Sequence, residues 1–413
     1  TFNVTGQGGD ARTLYLNNNA VRADQTYHLY NGTAYTNTNG QGNYGKVVLH
    51  SGAGFSCGSA EAFKNIATAG QYVFEDDSVI QLGSNLQTAL DKYGATVTTG
   101  ADDTGFFHIK GSTIACFDNS ASPTLVDGNM QKIIKASNIS MSNNNAYQFK
   151  GIGLHLGDGK YLLLERNVSN GTVFIGTDLG SSTVGIAAEP GSNNYIAAPF
   201  DANSATLVIG SDSPMTFVNT DTNTWNQRST SMATGTVQLT GGLAHTYNIE
   251  IKSGKLNLNY AQDLSATDVL IGANGTLQAG KAVTLHKVSG TGTIQTGANL
   301  TFAKIAPGAG SDVGEMTADT LNFGDGAAYE WRLANADGAT PGTDWDHLVA
   351  TNLTFAGELV VNVDGAGMTG TLAGTDEFVI ATANNTFAVP GSYTVNLPTG
   401  WSGTGVLTAV QDT

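Results

Sequence analysis

Charge is scarce in this chain. Asp, Glu, Lys and Arg together make up only 13% of its 413 residues. What charge there is leans one way, 34 acidic against 18 basic residues, for a net charge of −16. So few cations leave no basic face for nucleic-acid phosphates or for anionic lipid. Long apolar runs are missing as well, and none nears the roughly 18–20 residues that span a bilayer. Cysteine is confined to Cys57 and Cys116. They lie far apart with no CxxC or Cys/His spacing, which removes the usual zinc signatures. The chain begins with Thr1, not Met. We read that as a processed start left by signal-peptide removal.

Glycine is plentiful, at 53 residues, close to twice the usual share of about 7%. Asn, Thr and Ser dominate the polar remainder, while 40% hydrophobic residues are enough to fill a core. Through the second half a Gly-x-aliphatic signature recurs: Gly235-Thr236-Val237, Gly254-Lys255-Leu256, Gly275-Thr276-Leu277, Gly292-Thr293-Ile294 and Gly314-Glu315-Met316. Short strands alternating aliphatic with polar residues lie between the glycines. One such layer cannot bury its apolar face alone, so passes of about twenty residues must stack. The reading is all-β: a parallel β-helix (β-solenoid) over 216–320, with Leu256, Leu277 and Ile294 above one another in its core.

Residues 1–215 read as irregular β with no clean repeat. Asp158-Gly159, between Leu154-His155-Leu156 and Tyr161-Leu162-Leu163, is the best hairpin signal in the chain. Two short helices are expected, one opened by Ser59 and one by Ser84-Asn85-Leu86-Gln87 with Gly94 as its stop. In an exported protein Cys57 and Cys116 are expected to form a disulfide, worth on the order of 4 kcal/mol for a loop of that size. Residues 321–413, with longer and more antiparallel-looking strands and three of the four tryptophans (Trp331, Trp345, Trp401), read as a β cap that closes the stack.

The run Ile305-Ala306-Pro307-Gly308-Ala309-Gly310, then Leu321-Asn322-Phe323-Gly324-Asp325-Gly326-Ala327-Ala328-Tyr329-Glu330, continues through Asp344-Trp345-Asp346-His347-Leu348-Val349 to Leu353-Thr354-Phe355-Ala356-Gly357-Glu358-Leu359-Val360-Val361. It resembles secreted bacterial proteins with autotransporter-associated β-strand repeats. The likeness covers about 235–365, a pattern of glycine and aliphatic positions and not a catalytic fingerprint. It implies a parallel β-helix, export, and a surface or matrix role such as adhesin or fibre. It supplies no catalytic residues. The chain departs from that family in lacking a translocator barrel.

Chemical candidates are thin. The acid pairs Asp76-Asp77 and Asp102-Asp103 sit at turn-like positions, and neighbours on a strand face opposite ways. Asp344, Asp346 and His347 read as a polar strand end before Leu348-Val349, not as a metal cluster. None of the seven histidines is within five positions of another. We expect no enzyme, no catalytic or metal residues, and no cofactor, calcium being compatible with the acidic balance but without a motif.

The expected function is a secreted structural protein of the cell surface or extracellular matrix. Identical subunits would join into a homopolymer through strand edges. The opening strand would be the donor, with Phe2 and Val4 as its apolar face. The alternatives are a polysaccharide-binding or polysaccharide-cleaving β-helix, and a monomeric adhesin with a glycan or host-surface partner.

Overall fold

The computed structural model describes residues 182–408 apart from 197–199, 203, 220–226, 245–247, 296 and 403. Before these it describes 2–4, 13–15, 26–30, 32–36, 46–50, 53–57, 72–74, 79–82, 107–109, 113–116, 132–142, 152–165 and 174–177. Within these residues the chain is all-β, a large parallel sheet with one 3-10 turn at Gly297–Asn299. The helices expected at 59–67 and 84–94 lie outside the described residues. Two compact units emerge, 1–207 with 211–245, and 208–210 with 246–413.

In the second unit each pass of the chain pairs in parallel with the pass before it, along two arms. On one arm Leu256, Leu277, Ile294, Ala318, Ala350 and Ala383 are successive partners. On the other, Ile249, Val269, Val288, Ile305, Tyr329, Val361 and Val395 are. Leu256, Leu277 and Ile294 are each fully buried and in direct register. Alternation explains it: in Val283–Gly290 every second residue is buried from Val283 to Leu285, and Val288 and Gly290 resume after one irregular step. The signature glycines sit where one pass rests on the next. A Cβ at Gly292 would overlap the carbonyl oxygens of Gly272 and Gly275 on the pass beneath.

The passes lengthen. The first arm steps by 21 and 17 residues, then by 24, 32 and 33. The extra residues fall in 333–346 and 365–380, between the arms. As the first column shrinks to Ala318 and Ala350, the second grows to the buried Tyr329, so the interior stays filled. The Tyr329 hydroxyl donates to Ile380 O at 2.8 Å, which satisfies its polar tip inside the core. Gly314-Glu315-Met316 falls two residues out of the column, because Ile294 pairs with Ala318 and not with Met316.

The strands beyond 321 correct the expectation of an antiparallel cap. Glu315–Phe323, His347–Phe355 and Ala381–Phe387 are parallel on one arm, and Ala327–Arg332, Glu358–Asp364 and Ser392–Asn396 on the other. They continue the stack.

The first unit follows the same logic. Phe2–Val4, Thr26–Leu29, Lys46–Leu49, Tyr72–Phe74 and Phe107–Ile109 form a parallel sheet in that order. A second ladder carries the register column Thr36, Cys57, Leu82, Cys116, Met141, Leu164, Ala188. The region is thus more regular than its sequence, whose steps along this column run from 21 to 34 residues. The column also corrects the disulfide. Cys57 and Cys116 both pair with Leu82, on opposite sides of it. Two strand spacings separate them by about 9.5 Å, beyond the roughly 7 Å that a disulfide can bridge between Cα atoms. They occupy the register of Leu164 and Ala188, which are buried at 1% and 2% exposure.

Asp158-Gly159 is no hairpin either. Ile152–Glu165 is one strand, parallel to Lys132–Ser142 on both sides of that step. Gly159 takes φ +67°, and Asp158 Oδ1 accepts the N–H groups of Ser182 and Thr183 at 2.8 and 2.9 Å. The turn is a corner pinned to the following pass. An antiparallel pair does occur, Met215–Asn219 with Gln227–Ser231. It buries Phe217 against Leu163, Ala187 and Ala233, with Tyr161 and Met215 beside them.

Candidate assembly surface

The last pass of the second unit differs from those before it. Ala381–Phe387 pairs with His347–Phe355, and Ser392–Asn396 with Glu358–Asp364, each on one side only among the described residues. Neither strand carries a charge (ATANNTF and SYTVN), so neither has the lysines or acids that usually blunt an edge. Both are largely exposed, whereas the strands beneath alternate buried and open positions. Val379, Phe387, Val389 and Tyr393 are all more than a third exposed.

Two kinds of ladder reach this edge unfinished. Phe302, Phe323, Phe355 and Phe387 form a run of rings with centroids 5.3, 5.1 and 6.3 Å apart. On the outer face Asn362 donates to Glu330 at 2.9 Å and Asn396 to Asn362 at 2.8 Å. Asn352 donates to Thr320 at 3.2 Å and Asn385 to Asn352 at 3.0 Å. Chemically, the edge can take a further parallel strand that brings an aromatic ring over Phe387 and amides or hydroxyls over Asn385 and Asn396.

Phe2 and Val4 lie in the strand Phe2–Val4, which pairs with Thr26–Leu29 of its own chain and is outermost in its sheet among the described residues. It offers an edge and is not a free strand. Leu256, Leu277 and Ile294 are core, remote from the edge in register. Asp76-Asp77 and Asp102-Asp103 lie outside the described residues.

Asp344, Asp346 and His347 have separate tasks. Asp344 Oδ2 accepts the N–H groups of Thr340 (2.9 Å) and Ala339 (3.0 Å) and Oδ1 the Asn335 amide, the Thr340 bond first among the causes that hold its carboxyl below the usual value. Asp346 is 1% exposed and accepts Gly314 N–H at 2.9 Å and Arg332 N–H at 3.0 Å. Burial pushes its carboxyl up to about 7, against those two donors and the Arg332 guanidinium. The guanidinium itself donates to Asp312 O and Gly310 O, fastening the 308–314 loop. His347 turns to Glu315 and Thr382. Among the described residues no three His, Cys, Asp or Glu side chains gather as for a metal, and no helix is long and apolar enough to cross a membrane.

Sequence reasoning missed the terminal edge and its ladders. The signal was one residue type recurring at the length of a pass, as in Asn362/Asn396 and Asn352/Asn385. It also passed over Gly54-Phe55-Ser56-Cys57-Gly58, which has the spacing of a nucleophile elbow. Ser56 lies inside the strand Ala53–Cys57, paired on both sides, and not on the strand-to-helix turn an elbow requires. No protein-family model, curated protein or solved structure matches this chain.

Proposed function

We propose that the stacked passes are turns of a β-solenoid and that the protein is a secreted structural subunit. It forms or decorates extracellular fibres or cell surfaces by pairing strand edges with identical subunits. The observation that carries this reading is the uncharged, one-sided last pass with its exposed apolar residues. A partner strand laid on it completes backbone pairs and covers Phe387 and Tyr393 together. The Phe2–Val4 strand of a second copy, itself outermost and without charge, is the candidate partner. Such a contact joins two different surfaces, does not close on itself, and so propagates into a fibre. Composition supports export: few charges, much Gly, Thr, Ser and Asn, and the resemblance to secreted β-strand-repeat proteins.

The test is light scattering with negative-stain microscopy on the purified chain beside the double variant Phe387→Lys, Tyr393→Lys. Concentration-dependent fibres are expected for the native chain and monomers for the variant. A native chain that stays a sharp monomer at high concentration would sink the reading.

A further inference from the structure

Glu315, His347 and Thr382 stand on three consecutive passes of the second unit, and one imidazole joins them. His347 Nδ1 lies 2.9 Å from Glu315 Oε2, and its Nε2 lies 3.0 Å from Thr382 Oγ1. The His347 side chain is 9% exposed against 48% for Glu315. With the Glu315 carboxylate accepting a hydrogen bond from Nδ1–H, the Nε2 lone pair faces the hydroxyl. That is the order of acid, imidazole and hydroxyl that activates an oxygen nucleophile.

The hydroxyl is also held. Trp345 Nε1 donates to Val379 O at 3.0 Å, and Tyr329 Oη and Leu348 N–H both donate to Ile380 O at 2.8 and 3.1 Å. Phe378 sits between Trp331 and Trp345, with centroids 5.5 and 5.1 Å away. These contacts fix the start of the strand that presents Thr382. Because Ile380 turns its carbonyl toward the preceding pass, alternation turns the N–H groups of Ala381 and Ala383 toward the edge, on either side of Thr382, where they are open only on a last pass to which no second copy has added a strand. Backbone donors flanking a nucleophile are what a developing oxyanion needs.

We propose that Thr382 is an acyl-accepting nucleophile for activated esters, with His347 as its base and Glu315 as the positioning acid. Thr382 Oγ1 attacks the ester carbonyl carbon while its proton passes to His347 Nε2. The tetrahedral intermediate expels the alkoxide, which takes that proton and leaves as the alcohol, and the acyl group remains on Thr382 as an ester.

The experiment incubates the full chain, dilute enough to stay monomeric, with p-nitrophenyl acetate and follows nitrophenol release, intact mass and the acetylated peptide. One acetyl group on Thr382 is expected, retained in Thr382→Ser and absent in Thr382→Val. His347→Gln should slow labelling by about 100-fold, the low end for loss of a general base. Glu315→Gln should slow it less, with partial recovery in Glu315→Asp. Native chain without acetyl on Thr382 overturns the proposal whatever the variants do, as does labelling of undiminished rate in His347→Gln.

Discussion

The early and late passes of the second unit solve one packing problem in two ways. Between Asn248 and Pro307 the passes are short, the strands alternate apart from single irregular steps, and one column is aliphatic throughout: Ile249, Val269, Val288 and Ile305 above one another. From Glu315 onward the same two arms persist, but the chain between them expands. The interior takes in Tyr329, Trp331 and Trp345, and the buried ionisable groups Asp346 and His347 join it. Register on the arms is what the fold conserves. The connections are free to grow, and the buried ionisable groups collect where they do.

Three experiments sharpen that contrast. The largest effect belongs to Asp346 in the late passes. Its folded-state value, raised from 3.8 to about 7, means that protonation stabilises the fold. The contribution is full below about pH 4 and is lost as pH rises through 7. At about 1.4 kcal/mol per pH unit the loss is on the order of 4 kcal/mol. Urea unfolding of the native chain and of Asp346→Asn should show their stability difference moving against the native chain from pH 4 to 7.5, then levelling. A pH-independent difference would show that the two backbone donors and Arg332 keep the carboxylate ionised throughout.

In the early passes volume decides. Leu277→Ala removes a fully buried side chain and should cost about 2–5 kcal/mol in the same assay. A loss under 1 kcal/mol would mean that the short passes collapse around a cavity better than their regularity suggests. Smallest is the effect of Phe387→Ala on monomer stability. The side chain is 44% exposed on the last pass, so a change within about 1 kcal/mol is expected, read as a small shift in thermal midpoint. A loss as large as that of Leu277→Ala would mean that the last pass is as tightly packed as the interior.

Much of the early stack was legible. Leu256, Leu277 and Ile294 could be aligned because glycine and alternation repeat there at nearly constant spacing. The late passes were not, because 333–346 and 365–380 break the period while leaving the pairing intact. Asp158-Gly159 misled for a different reason. A corner between parallel strands and a two-residue hairpin demand the same residue with positive φ, and only the cross-pass bonds to Ser182 and Thr183 tell them apart. Cys57 and Cys116 suggested a bridge because two cysteines of an exported chain commonly pair, whereas their shared partner Leu82 stands between them. The Glu315, His347 and Thr382 constellation has spacings of 32 and 35 residues, which resemble nothing until the length of a pass is known.

The bonds from Trp345 and Tyr329 to the carbonyls of Val379 and Ile380 carry one more consequence. A stack whose layers touch only their neighbours loosens from its ends inward. Hydrogen exchange should therefore be fastest in Ser392–Asn396 and the far part of Ala381–Phe387, and should slow abruptly at Ile380. Breathing of the terminus would stop at that pair of rivets, leaving the deeper layers closed while the outermost one opens and recloses.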